Sequence, residues 1–327
     1  MSEAASIGDV RAARDRLRGV AVVTPLLESP FLNRHAGRRV LVKAECLQKT
    51  GSFKFRGGWS AVSALPETVR KRGVIAFSSG NHAQGVAHAA ELMEVPAVIM
   101  MPNDAPELKV ANTRAYGVEV VLYDRPGGES REEVGRRLAE DRGLTLVKPY
   151  DEPMVIAGQG TCGLEIAEQA KAARVERADV LVCCGGGGLS TGIALALEAE
   201  APGMRLRTVE PAGFDDWARS LAVGGRQDNP TESGSICDAL LARTPGELTF
   251  PIVRRLAGPG LTVTDDEALM AMGQAFLRLK LVAEPGGAVA LAAALYRAGE
   301  IAGDAVICTI SGGNVDPAMF ARALATL

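Results

Sequence analysis

Aromatic residues are scarce in this chain, at 4% of 327 residues with only two Trp and four Tyr. Base-stacking platforms for nucleic acid are therefore not expected, and a net charge of −3 with no basic stripe argues the same way. No apolar run approaches the ~20 residues that cross a membrane. Residues 1–18 are charged and amphipathic rather than apolar, so no secretory signal is predicted. The six cysteines (Cys46, Cys162, Cys183, Cys184, Cys237 and Cys308) include no CxxC pair and do not form a small disulfide framework. Three of them lie in apolar, strand-like runs. Buried free thiols in a reducing cytoplasm are the expectation.

What the chain has in abundance is alternation. Runs rich in Val, Ile and Leu at 40–47, 74–78, 97–101, 118–122, 144–147, 179–184, 205–209 and 305–310 predict strands. Between them, 81–93, 105–116, 130–142, 155–171, 188–200, 264–282 and 286–298 predict helices. Strands that are apolar throughout and separated by helices imply parallel sheets covered on both faces, an α/β protein. A Pro-rich turn at Pro149 and Pro153 suggests the end of an inserted unit. The expected division is a small domain at 74–147 within a discontinuous large domain, 1–73 plus 148–327. Ligands of such folds sit in a cleft outside the carboxyl ends of the strands.

Four segments carry chemistry. Lys54 lies in Ser52-Phe53-Lys54-Phe55-Arg56-Gly57, among apolar and small neighbours at a predicted helix start, both of which lower an ammonium's pKa. Gly185, Gly186, Gly187 and Gly188 follow an apolar strand and open a helix, so their amides can face a phosphate. A dinucleotide-binding oxidoreductase is the competing reading, but G-x-G-x-x-G fails: its sixth position is Ser190, Thr191 or Gly192, and the register ending in Gly192 has Leu189 third. Ser78, Ser79, Asn81 and His82 form a loop at a helix start, a seat for a carboxylate or an ordinary cap. Ser311-Gly312-Gly313-Asn314 follows a late strand. An amine, phosphate donors and hydroxyl or amide partners for ring heteroatoms are the parts of a pyridoxal phosphate site. Singly, each segment also reads as a surface lysine, a tight turn, an N-cap or a loop.

In order and separation, the four segments resemble those of the fold-type II pyridoxal phosphate enzymes, which share the architecture of tryptophan synthase β. The nearest branch is that of the serine/threonine dehydratases and serine racemases, and the resemblance runs from about Thr24 to Asp316. It implies two open parallel-sheet domains with the cofactor in the cleft between them. Lys54 would link the cofactor and act as base, with Phe53 against the pyridine ring. Asn81 would bond the phenolic oxygen, Ser311 the pyridine nitrogen, and Glu284 would lie near the ring or else simply enter a helix. Ser79 matches the racemase serine that returns a proton on the face opposite the lysine. Arg131 matches an arginine that meets the second carboxylate of dicarboxylates. Ser78, Ser79, Asn81, His82 and Arg131 are thus the expected substrate contacts.

Glu210, the Phe214 carbonyl and Asp216 resemble the racemase metal loop, for Mg²⁺ or Ca²⁺, although acids there also suit a helix start. Ala242 and Tyr150 depart from the racemase pattern, and Tyr150-Asp151 resembles the dehydratases. The resemblance implies a homodimer acting on a small amino acid; the short stretch after Asp316 predicts no regulatory domain, and composition predicts a cytoplasmic protein with no nucleic-acid or membrane partner. The expected activity is β-elimination from L-threonine or L-serine. L-threo-3-hydroxyaspartate dehydratase and serine racemase are the alternatives.

Overall fold

Val, Ile and Leu crowd into ten strands among the described residues, and these assemble into two sheets. The computed structural model describes residues 5–327 other than Ser79, Pro106 and Glu232, and leaves the side chains of Leu108, Lys109, Arg131 and Glu132 undescribed. The strands are β1 Leu26–Glu28, β2 Arg39–Ala44, β3 Val74–Phe77, β4 Ala97–Pro102, β5 Glu119–Tyr123, β6 Thr145–Leu146, β7 Ala178–Cys183, β8 Met204–Pro211, β9 Leu261–Val263 and β10 Ala305–Ile310. One sheet has the order β1-β2-β10-β7-β8-β9 and the other β5-β4-β3-β6. The protein is an α/β fold of two such domains.

The parallel sheets expected from the sequence are present, with one antiparallel pairing added at an edge. Every pairing is parallel except at the edge, where β1 runs antiparallel to β2 with Leu27 opposite Val42. β1 is three residues long, between Pro25 and Pro30, too short to read as an apolar run. The short β9 and the helices Ile7–Leu17, Pro30–Ala36, Thr249–Leu256 and Pro317–Leu324 likewise go beyond the sequence reading. The helix expected to reach residue 282 stops at Leu279, where Lys280 turns to φ 61°.

Alternation along the strands divides the larger core. Leu41, Val180 and Val182 pack with Ile166 and Ile193 on one face, while Val40, Val42, Leu181 and Cys183 pack on the other. That second face is covered by Pro285–Tyr296, a helix apolar all round and buried from Pro285 to Leu295. The smaller sheet has its own core of Val74, Ala76, Val86, Ile99 and Met101. Helix Lys54–Ala64 packs against both Asn81–Leu92 and Pro153–Ala172. The first contact is close because residue 85 is glycine: a Cβ there would lie 2.9 Å from the Lys54 carbonyl oxygen. All six cysteines are free. Among the described residues no helix is long and apolar enough to cross a membrane.

Candidate active site

The carboxyl ends of β3, β7 and β10 lead into the Ser78 loop, the glycine turn and the Ser311 turn respectively. Lys54 reaches this region as the first residue of its helix. The chain enters that helix through Thr50 at φ 60° and Gly51 at φ 71°. Hydrogen bonds fasten this entry to the Ser311 turn: Phe53 N donates to Ser311 O at 3.1 Å, and Gly313 N to Gly51 O at 2.9 Å. A bridge between Ser52 and Gly312 joins the same segments. Two regions far apart in sequence thus become one surface.

Lys54 is half-buried as a residue, and its Nζ donates to the Pro149 carbonyl at 2.7 Å. It also lies 5.2 Å from the centre of the Phe53 ring. Burial lowers its pKa to about 8, against the opposing pull of Glu284. A neutral, nucleophilic amine is therefore within reach near neutral pH.

The glycine turn has its carbonyls tied back. Trp217 Nε1 donates to Gly185 O at 2.5 Å, Thr249 Oγ1 to Gly186 O at 2.9 Å, and Thr191 N to Gly187 O at 2.8 Å. At the same time, no side chain caps helix Gly188–Glu200. Its first amides and the positive end of its dipole can receive an anion. Gly187 sits at φ +93°, and a Cβ there would lie 2.2 Å from the Trp217 ring. Packing as well as ligand approach therefore demands glycine. Ser190 Oγ, buried at the same helix start, has no hydrogen-bond partner among the described residues beyond the Cys184 thiol beside it.

Asn81 and His82 start helix Asn81–Leu92. Asn81 Nδ2 donates to Glu284 Oε1 at 2.7 Å, so Asn81 and Glu284 do come together. Glu284 precedes helix Pro285–Tyr296 without capping it through its side chain. His82 is buried, with Nε2 2.9 Å from the Val147 carbonyl. Burial, reinforced by nearby Lys54, depresses its pKa to about 3, so the ring is neutral. A neutral ring next to a carbonyl carries its proton on Nε2, which leaves Nδ1 as a buried acceptor with no partner among the described residues. Ser78 Oγ accepts from Gly80 N at 3.1 Å. Ser79 and the Arg131 side chain lie outside what the structure describes.

The acids at 210 and 216 converge some way along the fold. Both Glu210 oxygens accept backbone N–H groups, from Trp217 and Ala218, each at 2.9 Å, so Glu210 does serve a helix start. Asp216 Oδ1 accepts from Asn229 Nδ2 at 2.6 Å, while its buried Oδ2 has no partner among the described residues beyond the Glu210 carboxyl beside it. Burial raises the pKa of both carboxyls, and for Glu210 the proximity of Asp216 adds to it. Two adjacent buried carboxyls suit a hard cation, and equally a proton shared between them. Only two acids meet here, however, and no cluster of three or more His, Cys, Asp or Glu suited to a metal occurs among the described residues. Phe214 N donates to Pro211 O. The rest of a shell would fall to carbonyls and water.

Residues that sequence reasoning passed over hold these parts in place. Pro149, Trp217 and Thr249 act on Lys54 and the glycine carbonyls, and Asn314 bonds Asn81. Tyr150, singled out only as a departure, packs against the turn: a Cβ on Gly186 would lie 2.3 Å from its ring. Ala242 contributes its carbonyl, which accepts from Asn229 at 2.8 Å. The adjacent Pro149 and Tyr150 are the nearest thing to a signal, since the Pro-rich turn that holds them also lines the site.

An amine held by a neutral carbonyl, an uncapped helix start and hydroxyls without partners form a donor set that fits pyridoxal phosphate. Comparison with known proteins agrees. A family model described as pyridoxal-phosphate dependent enzyme matches residues 18–313. The chain is 44% identical over 319 residues to L-threo-3-hydroxyaspartate ammonia-lyase of Pseudomonas sp, covering 98% of each. It is 40% identical to serine racemase of Schizosaccharomyces pombe, over 97% of this chain and 96% of that protein. Among solved structures, a threonine deaminase from T.th. superposes with a TM-score of 0.89 at 44% identity, covering 95% of this chain and 99% of that one. The chain belongs to the family of pyridoxal-phosphate dependent enzymes.

Proposed function

We propose that this protein is an ammonia-lyase acting on β-hydroxy-α-amino acids, and that its preferred substrate is L-threo-3-hydroxyaspartate. The expectation that put threonine and serine first gives way to its alternative, because full-length relatedness runs to a hydroxyaspartate ammonia-lyase. Threonine is the second reading, supported by equal identity to a threonine deaminase. Serine racemase ranks lower, given Tyr150 and Ala242.

The observation that carries the reading is Lys54, an amine with pKa about 8 at the junction of the Ser311 turn and the Ser78 loop. Pyridoxal phosphate, when bound, supplies an aldehyde for this amine and a ring that accepts the electron pair left by a departing Cα proton. Gly185, Gly186, Gly187 and Gly188 would hold its phosphate, with Phe53, Asn81, Glu284 and Ser311 around its ring. Lys54 Nζ would take the Cα proton, and the β-hydroxyl would leave as water. Water then replaces nitrogen, so hydroxyaspartate gives oxaloacetate and ammonia, whereas threonine gives 2-oxobutyrate and serine pyruvate. The substrate α-carboxylate would rest on Ser78 and the amides of Asn81 and His82. His82, being neutral and bonded to Val147, orients that loop rather than exchanging protons. Ser79 would return a proton on the opposite face in any racemisation, and Arg131 would meet the β-carboxylate. Glu210, Asp216 and the Phe214 carbonyl would hold Mg²⁺ or Ca²⁺.

Comparison of kcat/KM for the three substrates tests this reading. Hydroxyaspartate is expected to lead by about tenfold or more, the worth of one charged hydrogen bond. Arg131→Ala is expected to erase that lead while sparing threonine. A lead for threonine in the wild type, or equal losses on both substrates in Arg131→Ala, would overturn the assignment.

A further inference from the structure

Asn314 joins three parts of the site. Its amide nitrogen donates to the Thr50 carbonyl at 2.7 Å and to Asn81 Oδ1 at 2.8 Å, and Asn81 Nδ2 donates onward to Glu284 Oε1 at 2.7 Å. The polarity of this chain of bonds follows from chemistry. A backbone carbonyl only accepts, so the Asn314 atom facing Thr50 is nitrogen. That same nitrogen faces Asn81, so the Asn81 atom it meets is oxygen, and the Asn81 NH₂ is turned the other way. An NH₂ carries two hydrogens. Glu284 takes one, and the second has no protein partner among the described residues.

We propose that Asn314 is a positioning residue, which fixes the amide of Asn81 so that its remaining N–H is presented to the phenolic oxygen of the cofactor. The inference rests on the reading of Asn81 as a cofactor contact and deepens it. Asn314 is exposed and belongs to none of the apolar clusters, so its role in the core is small. Its approach depends on glycine at 51, where a Cβ would lie 2.5 Å from Asn314 Oδ1. It also ties the helix start after β3, in the smaller sheet, to turns of the larger domain.

The test compares wild type, Asn81→Ala, Asn314→Ala and the double variant. Two quantities are read: the cofactor's dissociation constant, and the ratio of its two absorbance bands, which reports whether the phenolic oxygen carries a proton. An N–H at that oxygen favours the ionised form. Both single variants are expected to shift the ratio toward the protonated form and weaken cofactor binding about three- to tenfold, the worth of one hydrogen bond. Because Asn314 acts through Asn81, the double variant should shift no further than Asn81→Ala alone. Melting of the cofactor-free protein should not change. A shift in Asn81→Ala with none in Asn314→Ala, or full additivity in the double variant, would overturn the inference alone. An unchanged ratio in Asn81→Ala would remove the underlying reading and the inference with it. If Asn314→Ala does not fold, Asn314→Asp, of the same shape but with acceptors only, should give the same shift, and an unchanged ratio there overturns the proposal.

Discussion

Helix Lys54–Ala64 begins with two cations two residues apart, in opposite circumstances. Arg56 is 1% exposed and fully engaged: its nitrogens donate to both oxygens of Glu45, both oxygens of Glu165 and the hydroxyl of Thr161. Lys43, also buried, completes the group through Glu165, Gln169 and the Thr24 carbonyl. Two acids offset two bases, and the cluster is closed. Lys54 meets a single neutral carbonyl and holds its proton weakly. Among the described residues, Thr50 Oγ1, Ser52 Oγ, His82 Nδ1 and Ser190 Oγ, in segments that carry the site, are buried without an ordinary hydrogen bond, and so are both amide atoms of Gln159 against the Lys54 helix and atoms of Arg16, Arg38, Thr208 and Asp216. Satisfied buried charge builds the frame here, whereas buried polar atoms without partners among the described residues occur both around Lys54 and elsewhere, so they do not by themselves locate a ligand.

The comparison breaks most sharply with Lys54→Ala. Turnover is expected to fall by about a thousandfold or more, with loss of both the cofactor link and the base, while the melting temperature holds. Residual activity near wild type would remove Lys54 from the chemistry. Arg56→Met should do the reverse. Stranding Glu45 and Glu165 costs about 3–5 kcal/mol, seen in chemical denaturation, while KM in the folded fraction stays unchanged. Metal addition has a smaller effect. An ion binding only the folded state at a hundredfold excess over its Kd adds about 2.7 kcal/mol, and Glu210→Gln should abolish that response to Mg²⁺ or Ca²⁺. A melting temperature indifferent to either ion, starting from chelated protein, would leave the acids as a helix start alone.

The smallest effect concerns protons. Lys54 in the cofactor-free protein should react with an amine-acylating reagent with a midpoint near pH 8, well below the ordinary value of 10.5. The sign for stability follows. Between those pH values the unfolded chain holds the proton that the folded chain has released, so this group's contribution to stability rises with pH across that window. Labelling of Lys54 in step with surface lysines would show that burial does not weaken its hold on the proton.

The open half of this comparison was far more legible in the sequence than the closed half. Lys54, the four glycines and Ser311 each stand in contiguous segments whose composition carries a local meaning, and the strands that position them are long apolar runs. The closed cluster is not legible locally: Arg56 stands in the Lys54 segment, but nothing there names its partners. Lys43 sits mid-strand and Arg56 in a helix, and only tertiary packing brings them to Glu45 and Glu165. The Asn81–Asn314 contact spans 233 residues and was invisible for the same reason. Short elements such as β1 and β9 were missed because three residues show no periodicity, and their identity comes from the strands beside them. Glu210 illustrates a third case: its carboxylate serves a helix start, and the proposed cation site would use the same carboxylate, so the sequence pattern does not separate the two.

The central claim is that the covalent link to pyridoxal phosphate forms at the poorly satisfied Lys54. Borohydride reduction of the purified holoenzyme, followed by peptide mapping, tests it most directly. The predicted result is one pyridoxyl group, on the peptide that contains Lys54. A pyridoxyl group on any other lysine, with Lys54 unmodified, would contradict it.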